Sequence, residues 1–316
     1  TDTFLSAAQV TMGGYNEEQK GELALKNTLC TMGIYECMHY SFFSPADLDL
    51  LKLPADAKER NAIEIINPIN QDLSLMRTTL AASMLNAISR NEKQGTLEGR
   101  LFEVASIYIP ESLPLTSYPD ERKVLCVGTF GNNESFFTMK GIANTIAESM
   151  DIAFTYEPVQ KSFLHPYQAV KVLCEGTEIG YFGKAAYDIQ NELSMRTSAY
   201  IMELDLKELS RWYGKKRTFQ PISKFQEEKR DLAFVMDKNI SCGDVENCIR
   251  EANKYVKEIR LFDVYEGGQI PEGKKSMAFT VTFAPKEEAF DFEKVQKFVE
   301  KICKKLQNEF NIELRG

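Results

Sequence analysis

The order of secondary-structure patterns in the last third of the chain limits the possible folds more than any other feature. Alternating apolar residues predict strands there, and apolar residues at helical spacing predict helices. The resulting order, β-α-β-β-α-β, is typical of ferredoxin-like domains. The predicted elements span residues 230–237, 243–254, 258–266, 276–284, 291–310 and 311–315.

The first two-thirds of the chain mixes strands with single helices and hairpins. Ser44 followed by Pro45 is a typical helix start, Gly33 is a typical helix end, and residues 175–177 (Glu-Gly-Thr) predict a hairpin turn. This mixture predicts an α+β domain built on a largely antiparallel sheet. Helices are predicted over 17–32, 75–91 and 138–150, and strands over 35–43, 100–109, 123–130, 169–174, 178–183 and 198–206.

The two regions are predicted to be separate domains joined by a short linker. Residues 213–217 (Tyr-Gly-Lys-Lys-Arg), followed by Pro221, have the polar composition of a linker. We therefore expect a first domain over 1–212, a linker over 213–220 and a second domain over 221–316. Residues 1–214 carry 18 basic and 28 acidic side chains, whereas residues 215–316 carry 20 and 18. The second domain is thus the better candidate for contact with a phosphate backbone.

Composition places the chain among soluble globular proteins. Of its 316 residues, 43% are apolar and 27% charged, and no stretch approaches the roughly 20 apolar residues of a membrane span. Its seven cysteines form no C-x-x-C pair, so we expect reduced thiols in a cytoplasmic protein rather than a zinc site or disulfides. The sequence begins at Thr1 without an initiator Met, which suggests a piece of a longer protein.

Local motifs supply no catalytic apparatus. Gly268 to Lys274 matches G-x-x-x-x-G-K, but Lys275 follows where Ser or Thr would hold magnesium, and the loop joins two predicted strands rather than a strand and a helix. His39 and His165 lack metal-ligand spacing, and a hydrogen-bonded histidine within a sheet is the favoured interpretation of His39. We expect neither catalytic nor metal-binding residues in this chain.

Two segments of the first domain stand out as longer motifs. Residues 67–80 read NPINQDLSLMRTTL, and residues 100–104 read RLFEV. These motifs and their spacing closely resemble the β subunit of bacterial phenylalanyl-tRNA synthetase. Further similar segments occur in the family's order over nearly the whole chain. They are residues 29–42, 86–91, 164–166, 221–225, 230–233, 261–267 and 314–316.

The resemblance implies a division of labour between two modules. Residues 1–212 would form a class II synthetase-like module that has the catalytic fold without the catalysis, and residues 221–316 a ferredoxin-fold anticodon-binding domain. The working enzyme would be a cytoplasmic (αβ)₂ heterotetramer that uses ATP and magnesium to join phenylalanine to its tRNA, with no membrane or DNA partner. This fragment would hold no cofactor, because the acidic magnesium ligands and the editing domain would lie upstream of Thr1.

The resemblance also implies that the first module is inert. A working class II site needs an arginine and an acid near the α-phosphate and a glycine-rich strand ending in arginine, since positive charge stabilises the transition state of adenylation. Arg100 with Glu103 only partly resembles the first feature, and Arg196, the nearest arginine for the second, follows residues without glycine. Tyr167 stands where the family usually has glycine, so we assign the loop at 165–167 no role.

An inert module of this kind implies a role in holding subunits together. The predicted helix over 17–32 and strand over 35–43 correspond to the element through which class II folds pair. We expect partly exposed side chains there to meet the α subunit, although ordinary core explains an apolar stripe equally well. The residues assigned to this interface are Leu25, Leu29, Met32, Tyr35 and Phe42.

Strand alternation in the second domain predicts which sheet face meets tRNA. Phe262 is expected beneath the helices, and Leu261 and Tyr265 on the opposite face. Basic groups there would bind phosphates and Tyr265 would stack on a base, although Arg230 and Asp231 could equally form a structural ion pair. The residues assigned to tRNA binding are Lys224, Lys229, Arg230, Tyr265 and Arg315.

Two other functions stay open on the sequence. The first is a free-standing ATP-dependent ligase using residues 1–212, which amino-acid-dependent pyrophosphate exchange by the chain alone would reveal. The second is a free-standing RNA-binding or regulatory module with no synthetase partner, which co-purification with a synthetase α chain would exclude.

Overall fold

The chain divides into two units, Thr1–Arg217 and Thr218–Gly316. The computed structural model describes residues 12–212, 219, 224–268, 270–285 and 288–315. The predicted linker over 213–220, apart from Phe219, lies outside the described residues. The domain boundaries drawn from the sequence therefore stay a prediction, and each unit is described by itself.

The first unit alternates helices and strands largely as its sequence patterns predict. Its helices are α1 (Glu17–Thr31), α2 (Pro45–Leu50), α3 (Ala81–Lys93), α4 (Phe136–Ser149), α5 (Tyr187–Glu192) and α6 (Leu206–Leu209). Its strands are β1 (Tyr35–Glu36), β2 (Phe42–Phe43), β3 (Leu75–Met76), β4 (Gly99–Ile109), β5 (Asp120–Phe130), β6 (Phe154–Pro158), β7 (Leu164–Cys174), β8 (Thr177–Ala185) and β9 (Ala199–Asp205). The predicted start of α2 is confirmed, since the Ser44 hydroxyl accepts a hydrogen bond from the Asp47 amide.

The predicted bounds of one strand and one helix in this unit are wrong. The strand predicted over 35–43 pairs only at its two ends, as β1 and β2, and the helix predicted over 75–91 begins only at Ala81. Between β1 and β2 the backbone leaves the sheet, and the His39 amide donates a hydrogen bond to the Glu103 carboxylate. The Arg77 amide donates to the carbonyl of Ser41, which holds residue 77 out of helical geometry.

A seven-stranded sheet forms the centre of the first unit. Its strand order is β1-β4-β5-β9-β8-β7-β6, and every neighbouring pair is antiparallel except β1 with β4. Alternate residues of each strand point to opposite faces, so the sheet has two cores. Apolar residues of α2, α3 and α5 pack on one face, and those of α1, α4 and α6 pack on the other.

The second unit has the ferredoxin-like order that the sequence predicts. Its strands β10, β11, β12 and β13 form one antiparallel sheet in the order β11-β12-β10-β13, with both helices packed on a single core. The opposite face of this sheet carries no helix among the described residues. The elements are β10 (Glu228–Asp237), α7 (Cys242–Ala252), β11 (Val256–Tyr265), β12 (Lys274–Phe283), α8 (Phe292–Phe310) and β13 (Glu313–Leu314).

A β-bulge in β11 reverses two predicted side-chain orientations. The pairing register with β12 shifts between Leu261 and Asp263, which leaves Phe262 as the extra residue. Phe262 is therefore exposed rather than beneath the helices, and Leu261 packs against the core instead of lying on the opposite face. Alternation alone could not reveal a one-residue insertion in the strand. Tyr265, beyond the bulge, keeps its predicted face.

Candidate functional site

A buried carboxylate organises the segment before α3 in the first unit. Glu103 accepts hydrogen bonds from Arg77 Nη1 at 3.1 Å and from the His39 amide at 3.1 Å, and its second oxygen lies 2.6 Å from His39 Nδ1. Burial raises the pKa of Glu103, but the His39 hydrogen bonds and the Arg77 charge outweigh it, so its pKa lies below the ordinary value. The prediction that His39 is hydrogen-bonded is confirmed, but its predicted place within a sheet is wrong, because it lies between β1 and β2. Arg77 is buried and bonded to this carboxylate, so it is a structural residue.

Arg100 and Glu103, the partial match to the class II arginine and acid, do not pair with each other. Arg100 Nε lies 2.8 Å from Glu134 Oε1, while Glu103 pairs with Arg77. Residues 100 and 103 are separated by an odd number of positions along β4, so their side chains leave opposite faces of the sheet. Each of the two arginines thus already has a carboxylate partner.

Helices pack closely on both faces of the sheet in the described part of the first unit. Helix α3 lies so near β5 that a Cβ at Gly128 would stand 2.6 Å from Cγ of Met84. The other face is filled by α1, α4 and α6. Arg77 and Arg100 are both paired with carboxylates, so neither is available to the phosphates of ATP.

The predicted subunit interface is wrong for two of its five residues. Leu25 and Leu29 are buried, because the apolar stripe of α1 packs against α4 and the sheet as ordinary core. Met32 and Phe42 are half-buried, and Met32 packs on the same core. Tyr35 is 74% exposed and remains a candidate contact.

Sequence reasoning missed two exposed apolar neighbours of Tyr35. Met38 and Tyr40 are 90% and 69% exposed, although both lie inside the predicted strand. They line a cavity of about 780 Å³ whose wall also includes Arg90 and Lys93 of α3. Exposed aromatic and methionine side chains beside basic groups are typical of protein-binding surfaces.

The helix-free face of the second unit gathers three of the five predicted tRNA-binding residues. Tyr265, Lys229 and Arg315 all lie on it, as strand register requires. The Arg315 guanidinium carbon is 5.6 Å from the centre of the Tyr265 ring, and the Arg315 amide donates to the carbonyl of Ala233. An aromatic ring and basic groups on an open sheet are the elements with which such sheets stack bases and hold phosphates.

Arg230 lies on the other face of that sheet. Its guanidinium is 3.1 Å from Glu228 and stands over the ring of Phe292, the first residue of α8. The predicted grouping of Arg230 with Tyr265 is therefore wrong, because residues 229 and 230 alternate across β10. The alternative pairing with Asp231 does not form either, since Asp231 accepts a hydrogen bond from Thr280 on the helix-free face. Lys224 is exposed at the bend before β10.

Two polar residues beside Tyr265 were missed by the sequence interpretation. Ser276 lies opposite Tyr265 in the neighbouring strand, and Asp263 lies two residues before it on the same face. The Tyr265 ring itself folds over Gly267, where a Cβ would stand 1.9 Å from the tyrosine hydroxyl oxygen. In the sequence, only the glycine two residues after the tyrosine could have indicated this contact.

Neither metal ligands nor membrane helices are found in the described part of the chain. No cluster of three or more His, Cys, Asp or Glu side chains there could hold a metal ion. None of the described helices is long and apolar enough to cross a bilayer. The loop from Gly268 to Lys274 connects β11 to β12, as predicted.

The two folds define a class of protein. The helix-packed antiparallel sheet is that of class II aminoacyl-tRNA synthetases, followed by a ferredoxin-like domain. The crystal structure of pyrrolysyl-tRNA synthetase from Desulfitobacterium hafniense has the same fold, with a TM-score of 0.50 and 16% identity over 61% of this chain and 67% of that chain.

The chain belongs to the phenylalanyl-tRNA synthetase β-chain family. Residues 2–206 match the "Phenylalanyl tRNA synthetase beta chain CLM domain" and residues 223–315 the "Ferredoxin-fold anticodon binding domain". Phenylalanine–tRNA ligase β subunits of Clostridium tetani and Clostridium acetobutylicum are 33% and 30% identical to it, over 90% and 96% of the chain. The matched part is 36% and 38% of those relatives' own length, so the chain spans little more than a third of them.

Proposed function

We propose that this chain is the non-catalytic C-terminal part of a phenylalanine–tRNA ligase β subunit. Its second unit binds the anticodon end of phenylalanine tRNA, and its first unit docks on the α subunit within an (αβ)₂ heterotetramer in the cytoplasm. The α subunit carries out the ATP- and magnesium-dependent attachment of phenylalanine. The observation that carries the tRNA-binding role is the position of Arg315 over Tyr265 on the helix-free face.

The tRNA site is centred on Tyr265. Its ring is 38% exposed, which leaves it accessible to a base. Lys229 and Arg315 on the same face supply positive charge for backbone phosphates, and Asp263 supplies a polar partner for a base edge. Arg230 is dropped from this site because Glu228 already pairs with it.

Docking of the α subunit uses the exposed side chains of the segment after α1. Tyr35, Met38 and Tyr40 present aromatic and thioether groups to solvent, and such groups are enriched at subunit interfaces. Met32 and Phe42 are half-buried, whereas Leu25 and Leu29 belong to the core.

ATP and magnesium belong to the reaction of the whole enzyme. Arg77 and Arg100 are paired with Glu103 and Glu134, which supports a chain that does not bind the phosphates. In this proposal the chain itself carries out no chemical step. Its contribution is to place the tRNA and to support the α subunit.

Co-purification tests both parts of the proposal. The chain is expressed with the α subunit, and phenylalanine-dependent pyrophosphate exchange is measured for the chain alone and for the complex. We expect a stable complex, and exchange only when the α subunit is present. Exchange by the chain alone would instead establish a free-standing ligase, and failure to bind the α subunit would favour an independent RNA-binding module.

A surface variant tests the docking site separately. Tyr35→Glu places a charge in the proposed contact and should weaken binding of the α subunit, while tRNA binding by the chain stays unchanged. Tyr118→Glu is the matched control, since Tyr118 is 98% exposed in another loop of the same unit. Equal α-subunit binding by the two variants would remove Tyr35 from the interface.

A further inference from the structure

Four side chains form a cross-strand row in the first unit that the proposed function does not use. Register places Glu103, Cys126, Glu203 and Tyr181 side by side on β4, β5, β9 and β8. Both carboxylates in the row are buried, but only Glu103 has cationic partners. Glu203 has no basic group within ion-pair distance among the described residues. A buried carboxylate without a counter-charge is costly and marks a candidate binding group.

The two oxygens of Glu203 differ in their surroundings. Oε2 accepts hydrogen bonds from the Thr79 hydroxyl at 2.7 Å, the Leu80 amide at 3.2 Å and the Tyr181 hydroxyl at 3.4 Å. Oε1 accepts none from the residues that the structure describes. Oε1 is not fully enclosed by protein atoms, so it borders open space. One acceptor of this carboxylate is therefore available to a ligand.

That open space is a cavity of about 290 Å³, which Glu203 lines. Its wall combines apolar side chains with polar and charged ones, and Thr78, Thr79 and Tyr181 line it together with the carboxylate. Lys58 and Glu59 lie at the wall with opposite charges, and Arg122 there is already paired with Asp120 and Asp205. The apolar wall residues are Leu51, Leu53, Ile107, Ile109 and Phe163.

We propose that this cavity binds a small molecule consisting of a primary ammonium group on an apolar body. The ammonium donates to Glu203 Oε1 and forms an ion pair with it, while the apolar body fills the space beside Ile107, Ile109 and Phe163. The positive charge of Lys161 acts on Glu203 and lowers its pKa, but the Lys161 ammonium stands 4.4 Å from the centre of the Tyr181 ring and forms no ion pair with Glu203. The volume lies at the lower end of small-molecule sites, which limits the body to about one aromatic ring.

Titration of the chain with phenethylammonium tests this site. Binding is followed by calorimetry and by chemical shifts of the residues at the cavity. Phenethyl alcohol has the same shape without the charge. It should bind at least about tenfold more weakly, since a charge-assisted hydrogen bond contributes about 1.5–3 kcal/mol. 3-Phenylpropionate, which carries the opposite charge, should not bind.

A matched pair of variants assigns the binding to Glu203. Glu203→Gln keeps acceptors for Thr79 and the Leu80 amide but removes the charge, so phenethylammonium affinity should fall about tenfold. Glu178→Gln, at an exposed position of β8, should leave that affinity unchanged. Should Glu203→Gln fail to fold, Ile109→Phe narrows the cavity while keeping the carboxylate and should also abolish binding. No binding by the original chain, or equal binding by both glutamine variants, would overturn the proposal.

Discussion

The Arg315 guanidinium lies over the ring of Tyr265, although the two residues come from opposite edges of the second unit's sheet. The side chain crosses the sheet because Ala233 and Ala278, which pair with each other between the outer strands, leave room for it. A cation on an aromatic face contributes about 0.5–1 kcal/mol at exposed sites. Arg315 thus orients the Tyr265 ring, on which the proposed function places a base.

Replacement of Tyr265 should weaken tRNA binding without unfolding the unit. Tyr265→Ala removes the stacking surface and should raise the Kd for phenylalanine tRNA about tenfold, since stacking of one base contributes roughly 1–3 kcal/mol. Tyr265→Phe keeps the ring and most of the affinity. The Kd is measured on the β chain assembled with its α subunit. Phe292→Ala, which removes an exposed aromatic from the helix side, is the control and should bind normally.

Salt dependence should separate the two faces of the same sheet. Lys229→Gln and Arg315→Gln should each weaken binding and lower the slope of log K against log salt by about one, because each removes one phosphate contact. Arg230→Gln should leave that slope unchanged, since Arg230 is paired with Glu228 on the helix side. A lower slope for Arg230→Gln with no change for Lys229→Gln would place the tRNA on the helix side.

Glu103 should stabilise the first unit in a pH-dependent way. Glu103→Gln leaves the buried Arg77 without its charge partner and should cost about 3 kcal/mol at neutral pH. The pKa of Glu103 is lowered in the folded chain, so its contribution is fully present above the ordinary glutamate pKa and is lost as pH falls through the lowered value. Urea unfolding at several pH values should show the difference between variant and original chain shrinking in acid. A difference that stays constant with pH would contradict this assignment.

Glu203, two strands away, should show the opposite dependence. Burial raises its pKa, outweighing the hydrogen bonds from Thr79 and Leu80. Its contribution is therefore fully present below the ordinary glutamate pKa and is lost as pH rises through the raised value. Glu203→Gln should thus be more stable than the original chain at pH 8 and equal to it in acid. The same urea series measures this, with exposed Glu178→Gln as the control.

Periodicity predicted the elements but not the partners of buried charges. The ferredoxin-like order and the α+β character follow from spacing, because strands and helices bury faces of period 2 and 3.6. Glu103 and Arg77 lie 26 residues apart, and nothing local in the sequence distinguishes Arg77 from Arg100 as the partner. Only the odd spacing of 100 and 103 within one strand could have excluded their pairing.

The predicted sites failed where faces were assigned from composition. Leu25 and Leu29 form an apolar stripe whether a helix packs inside the unit or on another subunit, so the sequence could not choose between them. Arg230 and Lys229 are both basic, but alternation along β10 places them on opposite faces. That alternation was readable beforehand, whereas the bulge at Phe262 was not.

Gly267 should control the position of the Tyr265 ring. A Cβ at residue 267 would stand 1.9 Å from the tyrosine hydroxyl oxygen and 2.1 Å from Cζ, so Gly267→Ala must displace the ring. The ring is at the surface and can swing away, so the stability of the unit should change little. Affinity for tRNA should fall toward that of Tyr265→Ala, because the ring no longer lies where Arg315 and the base meet it.

The neighbouring glycine provides the control for this effect. A Cβ at Gly268 meets nothing within 4 Å, so Gly268→Ala makes the same chemical change in the same loop without touching Tyr265. We expect normal tRNA affinity for Gly268→Ala and reduced affinity for Gly267→Ala. The double variant Gly267→Ala with Tyr265→Ala should bind no more weakly than Tyr265→Ala alone, because both changes act through one ring. If the losses of tRNA affinity in the two single variants add in the double variant, Gly267 contacts the tRNA directly and does not act through the ring.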